Sequence, residues 1–266
     1  MANDLPSPSV SIASGLFGRF PLKYAVPNAV TSIGLLTGLL SIMNTMAGDY
    51  ESAAWLILLC CLLDKLDGTV ARALGASSKF GVELDSFSDF VTFGIAPAFL
   101  LLGLATKDPR YSAYWATPAG LWFVRASSAF LILTSGLRLA KFNVMTETIG
   151  SKLFLGIPTT HVGGMIASYL LVAWKYQWPA ASVAAVPIAI WLIGLWEVSN
   201  IPLPKVRKTS SKAYNIFIAV NALGVYVTVP LRILPEYPLV FSIGYALIGT
   251  TWAILFMKPD LTEEAA

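Results

Sequence analysis

Eight stretches of this chain are each close to the length that crosses a bilayer and carry few charges. A helical span needs roughly 20 mostly apolar residues. The stretches fall at about 27–48, 52–74, 80–105, 116–141, 159–175, 180–199, 213–232 and 237–257. In hydrocarbon every backbone polar group must find its partner inside the protein, so runs this long are read as helices. Turn residues punctuate them: Gly48-Asp49, Lys107-Asp108-Pro109, Trp178-Pro179, "IPLPKVRKTSSK" and Leu234-Pro235. The expected architecture is an all-α integral membrane protein with about eight transmembrane helices. Composition agrees. Charged residues make up 12% of the chain and hydrophobic ones 56%, against about 25% charged in soluble domains. No connection is long enough for a separate soluble domain. The net charge of +3 gives no reason to expect a nucleic-acid partner. Cys60 and Cys61 are adjacent in an apolar run and read as small buried residues, not as a disulfide framework.

Orientation follows from lysine and arginine. With the N-terminus in the cytoplasm, the inside segments hold Arg19, Lys23, Arg72, Lys79, Arg138, Lys141, Lys152, Lys205, Arg207, Lys208, Lys212 and Lys258. The outside segments hold Lys107, Arg110, Lys175 and Arg232. Twelve against four places both termini and the 73–79 loop inside. Residues 1–23 lack the basic start and apolar core of a cleavable signal. They are expected to stay in the cytoplasm, where "PSVSIASGLFGRF" can lie as an amphipathic helix on the membrane surface.

Four carboxylates break this apolar pattern. Asp64 and Asp67 lie three apart near the end of the second span, and Asp85 and Asp89 four apart near the start of the third. Such spacings put both members of a pair on one helix face. The two helices form a hairpin, so the pairs can meet at similar depth. A charge in a span costs several kcal/mol unless it is paired or faces water, and four acids together repel. Divalent cations remove the conflict. Mg²⁺, Mn²⁺ and Ca²⁺ take oxygen ligands, and two such ions suit phosphate chemistry because they stabilise attacking and leaving oxygens. Gly68 lies four after Asp64 and Gly81 four before Asp85, each on the acidic face, with Ala71 extending the small-residue strip. Glycine within a helix costs about 1 kcal/mol relative to alanine, a cost accepted in membranes where helices or ligands approach closely. Arg72 adds a cation that a phosphate would welcome.

Together these residues read Asp64-x2-Asp67-Gly68-x2-Ala71-Arg72-x8-Gly81-x3-Asp85-x3-Asp89. That pattern resembles, without departure, the signature of the CDP-alcohol phosphatidyltransferase family, with eight fixed positions over 26 residues. Further stretches are similar to the branch of the family that uses serine: "SSKFGVELDSFSDFVTFGIAPA", "RLAKFNV" followed by "FLGIPTT", and "VSNIPLPK"; "VPNAVTSIGLLTG" resembles the family's first helix. The resemblance covers roughly residues 24–210 and implies a catalytic six-helix membrane core there. Residues 211–258 would add two transmembrane helices, and 259–266 would be a cytoplasmic tail. It also implies two divalent cations (Mg²⁺ or Mn²⁺, with Ca²⁺ admissible), CDP-diacylglycerol as donor, L-serine as acceptor, CMP as leaving group, and a homodimer. In a bacterium the place would be the inner membrane.

Carried over residue by residue, the resemblance makes Asp64, Asp67, Asp85 and Asp89 metal ligands and Asp89 the general base on the serine hydroxyl. Gly68, Ala71 and Gly81 would make room for the cytidine diphosphate, with Arg72 near its phosphates. Asn28, Thr31 and Lys79 are candidates for donor binding, while the first two could equally bond between helices and Lys79 could cap its turn. Arg138 and Lys141 could hold the acceptor's carboxylate or the donor's diphosphate, or serve as positive-inside anchors. His161, the single histidine, reads as a packing residue, Arg125 as a snorkelling one, and Glu197 as bonded to Asn200 or facing the site. Two rivals remain at this stage. One keeps the chemistry and changes the acceptor to glycerol phosphate, inositol phosphate or choline. The other is a membrane cation transporter, which would need an acidic trail reaching the opposite face.

Overall fold

A computed structural model describes residues 22–145, 153–206 and 209–257. The helices are α1 (Leu22–Ala47), α2 (Tyr50–Ala73), α3 (Lys79–Asp89), α4 (Ala96–Lys107), α5 (Pro118–Met145), α6 (Thr159–Lys175), α7 (Ala180–Ala184), α8 (Val186–Val198), α9 (Lys212–Thr228) and α10 (Glu236–Phe256). A π-helical turn, Phe90–Ile95, joins α3 to α4 in one rod, and α7 and α8 form another, so the described helices make eight rods, one over each stretch read from the sequence. Five rods are long and apolar enough to cross a membrane: Lys23–Ala47, Lys79–Lys107, Pro118–Met145, Ala180–Val198 and Glu236–Phe256. The other three fall short for visible reasons. α2 carries Glu51, Asp64, Lys65, Asp67 and Arg72, and α6 and α9 have 17 residues each. The chain is a multi-pass, all-α membrane protein. The amphipathic reading of the N-terminus, the tail, and Arg19, Lys152, Arg207, Lys208 and Lys258 lie outside the described residues.

Local chemistry sets where the rods begin and end. Asp49 caps α2 by accepting from the Ser52 amide at 3.1 Å, and Ser78 caps α3 by accepting from Gly81 at 3.0 Å. Four helices close with the same left-handed residue after the last turn. For α2 it is Gly75 (φ 56°), whose amide bonds Arg72 O at 3.3 Å while that of Ala76 bonds Ala71 O at 2.9 Å. This paired closure satisfies carbonyls that the helix end would leave bare. Gly48, Gln177 and Arg232 do the same after α1, α6 and α9.

The rods pack α1 along α2, α2 against α6, α5 against α8, and α10 against α6. Lipid is as apolar as leucine, so these contacts rest on close packing rather than on a hydrophobic drive. At the centre, Phe93 of the π turn is buried against Gly163 of α6, where an added Cβ would lie 3.0 Å from its ring. The π turn has a local cause. Pro97 has no N–H to give to the carbonyl four residues back, and the helix widens there: the Ala96 amide reaches Val91 O, five residues back.

The structure corrects the expected outline in four places. The first helix begins at Leu22, before Pro27; the seventh rod ends at Thr228, because the chain turns at Val229–Arg232. The sixth rod breaks at Ala185, just before Pro187. Two strands, β1 (Leu153–Leu155) and β2 (Pro202–Pro204), pair antiparallel with Phe154 opposite Leu203. Pro202 and Pro204 can donate nothing to that ladder, and the Gly156 amide extends it to Ile201 O at 2.9 Å. Gly156 has φ 75°, and a Cβ there would come 2.8 Å from the Trp196 carbonyl. Gly156→Ala is therefore expected to cost roughly 2 kcal/mol or more, read as a lower melting temperature of the detergent-solubilised protein.

Cations Lys107, Arg110, Lys175 and Arg232 sit at one end of the bundle. There Arg110 donates to Asp108 at 3.0 Å and 2.7 Å and stacks over Trp174, and Lys175 and Tyr176 both bond Glu236. Burial alone would lift the Asp108 carboxyl, yet the hydrogen bonds and charge of Arg110 outweigh it and hold the group below its ordinary value. Arg232 reaches Ser52 at 3.4 Å. The aspartates lie at the opposite end.

Candidate active site

The α2–α3 hairpin builds the acidic site. Gly75 ends α2, Ser78 starts α3, and the short turn between them lays one helix beside the other. Asp64 and Asp67 then face Asp85. One carboxylate oxygen from each of the three lies within 4.8 Å of the others. Asp67 is buried, and its Oδ2 accepts from Thr31 of α1 at 2.7 Å. Thr31 thus fixes a carboxylate from a third helix, as outer-shell partners of metal ligands do. Three acids this close repel one another, and the donor set is all oxygen. It fits a hard divalent cation, the kind that Mg²⁺, Mn²⁺ and Ca²⁺ represent.

Asp89 stands apart from that trio. It lies one turn further along α3, roughly 6 Å from Asp85 along the helix axis, with the π turn directly after it. Its carboxylate is within electrostatic reach of Asp64, Asp85 and Arg138. Of the four expected ligands, three converge and the fourth lies one turn further along α3.

A pocket adjoins the trio. Asn28, Thr31, Gly68, Ala71, Arg72 and Gly81 line it together with Asp67 and Asp85. These are six of the seven expected donor-binding residues. The seventh, Lys79, lies exposed at the start of α3 and is not among the lining residues. A Cβ on Gly81 would come within 3.1 Å of Asn28 Oδ1, and one on Gly68 within 3.4 Å of Arg72 Nη1. Arg72 is otherwise held by one long bond, Nη2 to Thr69 at 3.4 Å. Its exposed guanidinium is placed to take an anion at the pocket's mouth. Ser77, Ser78, Ala76, Val82 and Pro27 also line the pocket and were not proposed from sequence. Ser78 was the legible one, since a serine three residues before Gly81 is a cap signal.

Arg138 of α5 is within electrostatic reach of Asp89. It is buried (5% exposed), and its Nη1 makes one long bond to Thr159 at 3.5 Å. Among the described residues its Nε has no partner. The guanidinium packs over Phe142 and Phe154, whose rings Lys205 also approaches, at 5.1 Å and 4.7 Å. Lys141 sits differently. Its Nζ donates to Val198 O, Ser199 O and Asn200 Oδ1 at 3.0, 3.0 and 2.6 Å, closing the end of α8. Glu197 does not bond Asn200. It is fully buried and accepts from Thr134 at 2.8 Å and from Ser135 at 3.2 Å. His161 bonds Ser242 O at 2.8 Å and tilts against Tyr245, tying α6 to α10, and Arg125 lies over Trp122.

Comparison with known proteins identifies a family. The family model for CDP-alcohol phosphatidyltransferase matches residues 24–196. The chain is 29% identical over 236 residues to a Helicobacter pylori protein named CDP-diacylglycerol–serine O-phosphatidyltransferase, covering 88% of this chain and 94% of the relative. It is 31% identical over 225 residues to a Methanocaldococcus jannaschii protein of the same name, covering 84% and 92%. A Methanothermobacter thermautotrophicus archaetidylserine synthase is 33% identical over 184 residues, covering 68% and 70%. The matched region spans the acidic hairpin, its pocket and Arg138, and the chain belongs to the CDP-alcohol phosphatidyltransferase family.

Proposed function

We propose that this protein transfers the phosphatidyl group from CDP-diacylglycerol to L-serine, giving phosphatidylserine and CMP. The observation that carries the reading is the convergence of Asp64, Asp67 and Asp85 beside a pocket floored by Gly68, Ala71 and Gly81. Serine as acceptor is supported by the names of the similar proteins.

The cytidine diphosphate lies in the pocket, with Arg72 at its phosphates and Asn28 and Thr31 along its wall. Asp64, Asp67 and Asp85, with Asp89 at the edge, would hold two divalent cations, Mg²⁺ or Mn²⁺, whose bound charge would stabilise the attacking and leaving oxygens. Asp89 takes the proton from the serine hydroxyl. The freed oxygen forms a bond to the phosphorus that carries the diacylglycerol, and the bond from that phosphorus to the CMP oxygen breaks. CMP leaves with the electron pair. The base must reach the hydroxyl proton, and Asp89 suits that task because it is offset from the convergent trio. Arg138, within electrostatic reach of Asp89, would hold an acidic group of the acceptor or the diphosphate. Lys141 stands behind it as a second candidate, less accessible because its donors already close α8.

The lysine and arginine distribution supports a cytoplasmic site with both termini inside. We take residues 24–210 as the catalytic core, with α9 and α10 as additions, and the working unit as a homodimer. The test is an acceptor panel. Purified protein in mixed micelles receives labelled CDP-diacylglycerol and L-serine, glycerol phosphate, inositol phosphate or choline. Labelled lipid should form with serine. Product with another acceptor instead would overturn the choice of serine. No CMP release with any of them, together with ion flux in liposomes, would favour the transporter.

A further inference from the structure

We propose that Glu197 is a positioning residue: it orients Arg138 so that the guanidinium receives the carboxylate of an amino-acid acceptor beside Asp89. This rests on the serine reading above and adds to it the residue that sets acceptor choice.

Two buried ionisable side chains lie outside the aspartate trio. Glu197 of α8 is fully buried, and Arg138 of α5 is 5% exposed. A buried ion without partners is costly, more so in a bilayer. Glu197 is provided for: Thr134 Oγ1 donates to Oε2 at 2.8 Å and Ser135 Oγ to Oε1 at 3.2 Å. Thr134 and Ser135 precede Arg138 by four and three residues, so all three lie on one face of α5. The carboxylate gripped by the first two therefore lies about one helical turn along α5 from the Arg138 backbone. The hold on Glu197 extends into its backbone, where Gly156 packs against the end of α8.

Arg138 is not provided for. One bond at 3.5 Å to Thr159 and an unpartnered Nε leave most of its five donors open among the described residues. Phe142 and Phe154 cover it at 5.1 Å and 5.7 Å. Asp89 and Glu197 both lie within its electrostatic reach. A planar guanidinium packed over aromatic rings, with open donors near the proposed base, is suited to a carboxylate. An acceptor bound there by its carboxylate would present its hydroxyl toward Asp89.

A phosphate of the donor could use the same donors, so the test separates the two. CMP release by purified Glu197→Gln is measured against serine and against CDP-diacylglycerol, and ethanolamine, which lacks the carboxylate, is run in parallel. Expected is a rise of about tenfold in KM for serine, the scale of one charge-assisted hydrogen bond. The donor KM should change less than twofold, and preference for serine over ethanolamine should shrink. Thr134→Val, which keeps the carboxylate and loosens its grip, should move the same way by a smaller factor. Glu197→Asp should restore part of the serine KM. Three results would overturn the proposal: a higher donor KM at constant serine KM, an equal loss for both acceptors, or no change. If Glu197→Gln does not fold, Thr134→Val decides alone on the same readouts. Failure of the wild-type protein to use serine would count against the proposed function, and an unchanged variant of a serine-using enzyme against Glu197.

Discussion

Asp89→Asn is expected to release CMP at less than about a thousandth of the wild-type rate, with an unchanged melting temperature. The asparagine keeps the shape of the side chain, so the end of α3 and the π turn after it should form as before. It cannot take a proton. Loss of a positioned base alone is worth about 10²- to 10⁴-fold, and the site loses a negative charge as well. Because Asp89 is offset from the convergent trio, the variant should retain much of the affinity for divalent cations. Steady-state CMP release and a metal titration on one preparation check both halves. Full turnover would remove Asp89 from the mechanism.

Asp67→Asn is expected to lose at least as much activity by a different route. Its amide oxygen can still accept from Thr31, so the contact between α1 and α2 should survive. What goes is one of three charges that converge within 4.8 Å. Changing an outer-shell partner of a metal site commonly costs 10- to 100-fold in affinity or activity, and loss of a ligand should cost more. The Mg²⁺ or Mn²⁺ concentration for half-maximal activity should therefore rise at least tenfold, while for Asp89→Asn it should move much less. Equal metal dependence in the two variants would contradict the division of labour between trio and base.

Much of the site was legible because helical periodicity is a local rule. Spacings of three and four put Asp64 with Asp67, and Asp85 with Asp89, on common faces, and the glycines marked where a pocket could form. Periodicity gives a face but not the depth at which two helices meet. The spacing of four sets Asp89 one turn beyond Asp85, but which carboxylates of α2 meet which of α3 depends on how far α3 slides along α2, which no spacing encodes. Glu197 was undecidable for a related reason, since its partners Thr134 and Ser135 lie more than 60 residues away in sequence. Strands β1 and β2 are three residues long, too short for a period, and two prolines argued against them. The π turn did leave a trace in Pro97, and the break before α8 in Pro187. Proline marks that a helix changes, without saying whether it will widen, kink or stop.

The most direct test of the central claim follows both products at once. Purified protein, stripped of metal by a chelator, is given CDP-diacylglycerol and labelled L-serine, and CMP and labelled phosphatidylserine are counted before and after Mg²⁺ or Mn²⁺ is restored. Neither product should form without the cation, and equal amounts of the two should form once it is returned. CMP without phosphatidylserine, or equal turnover with and without the cation, would contradict the claim.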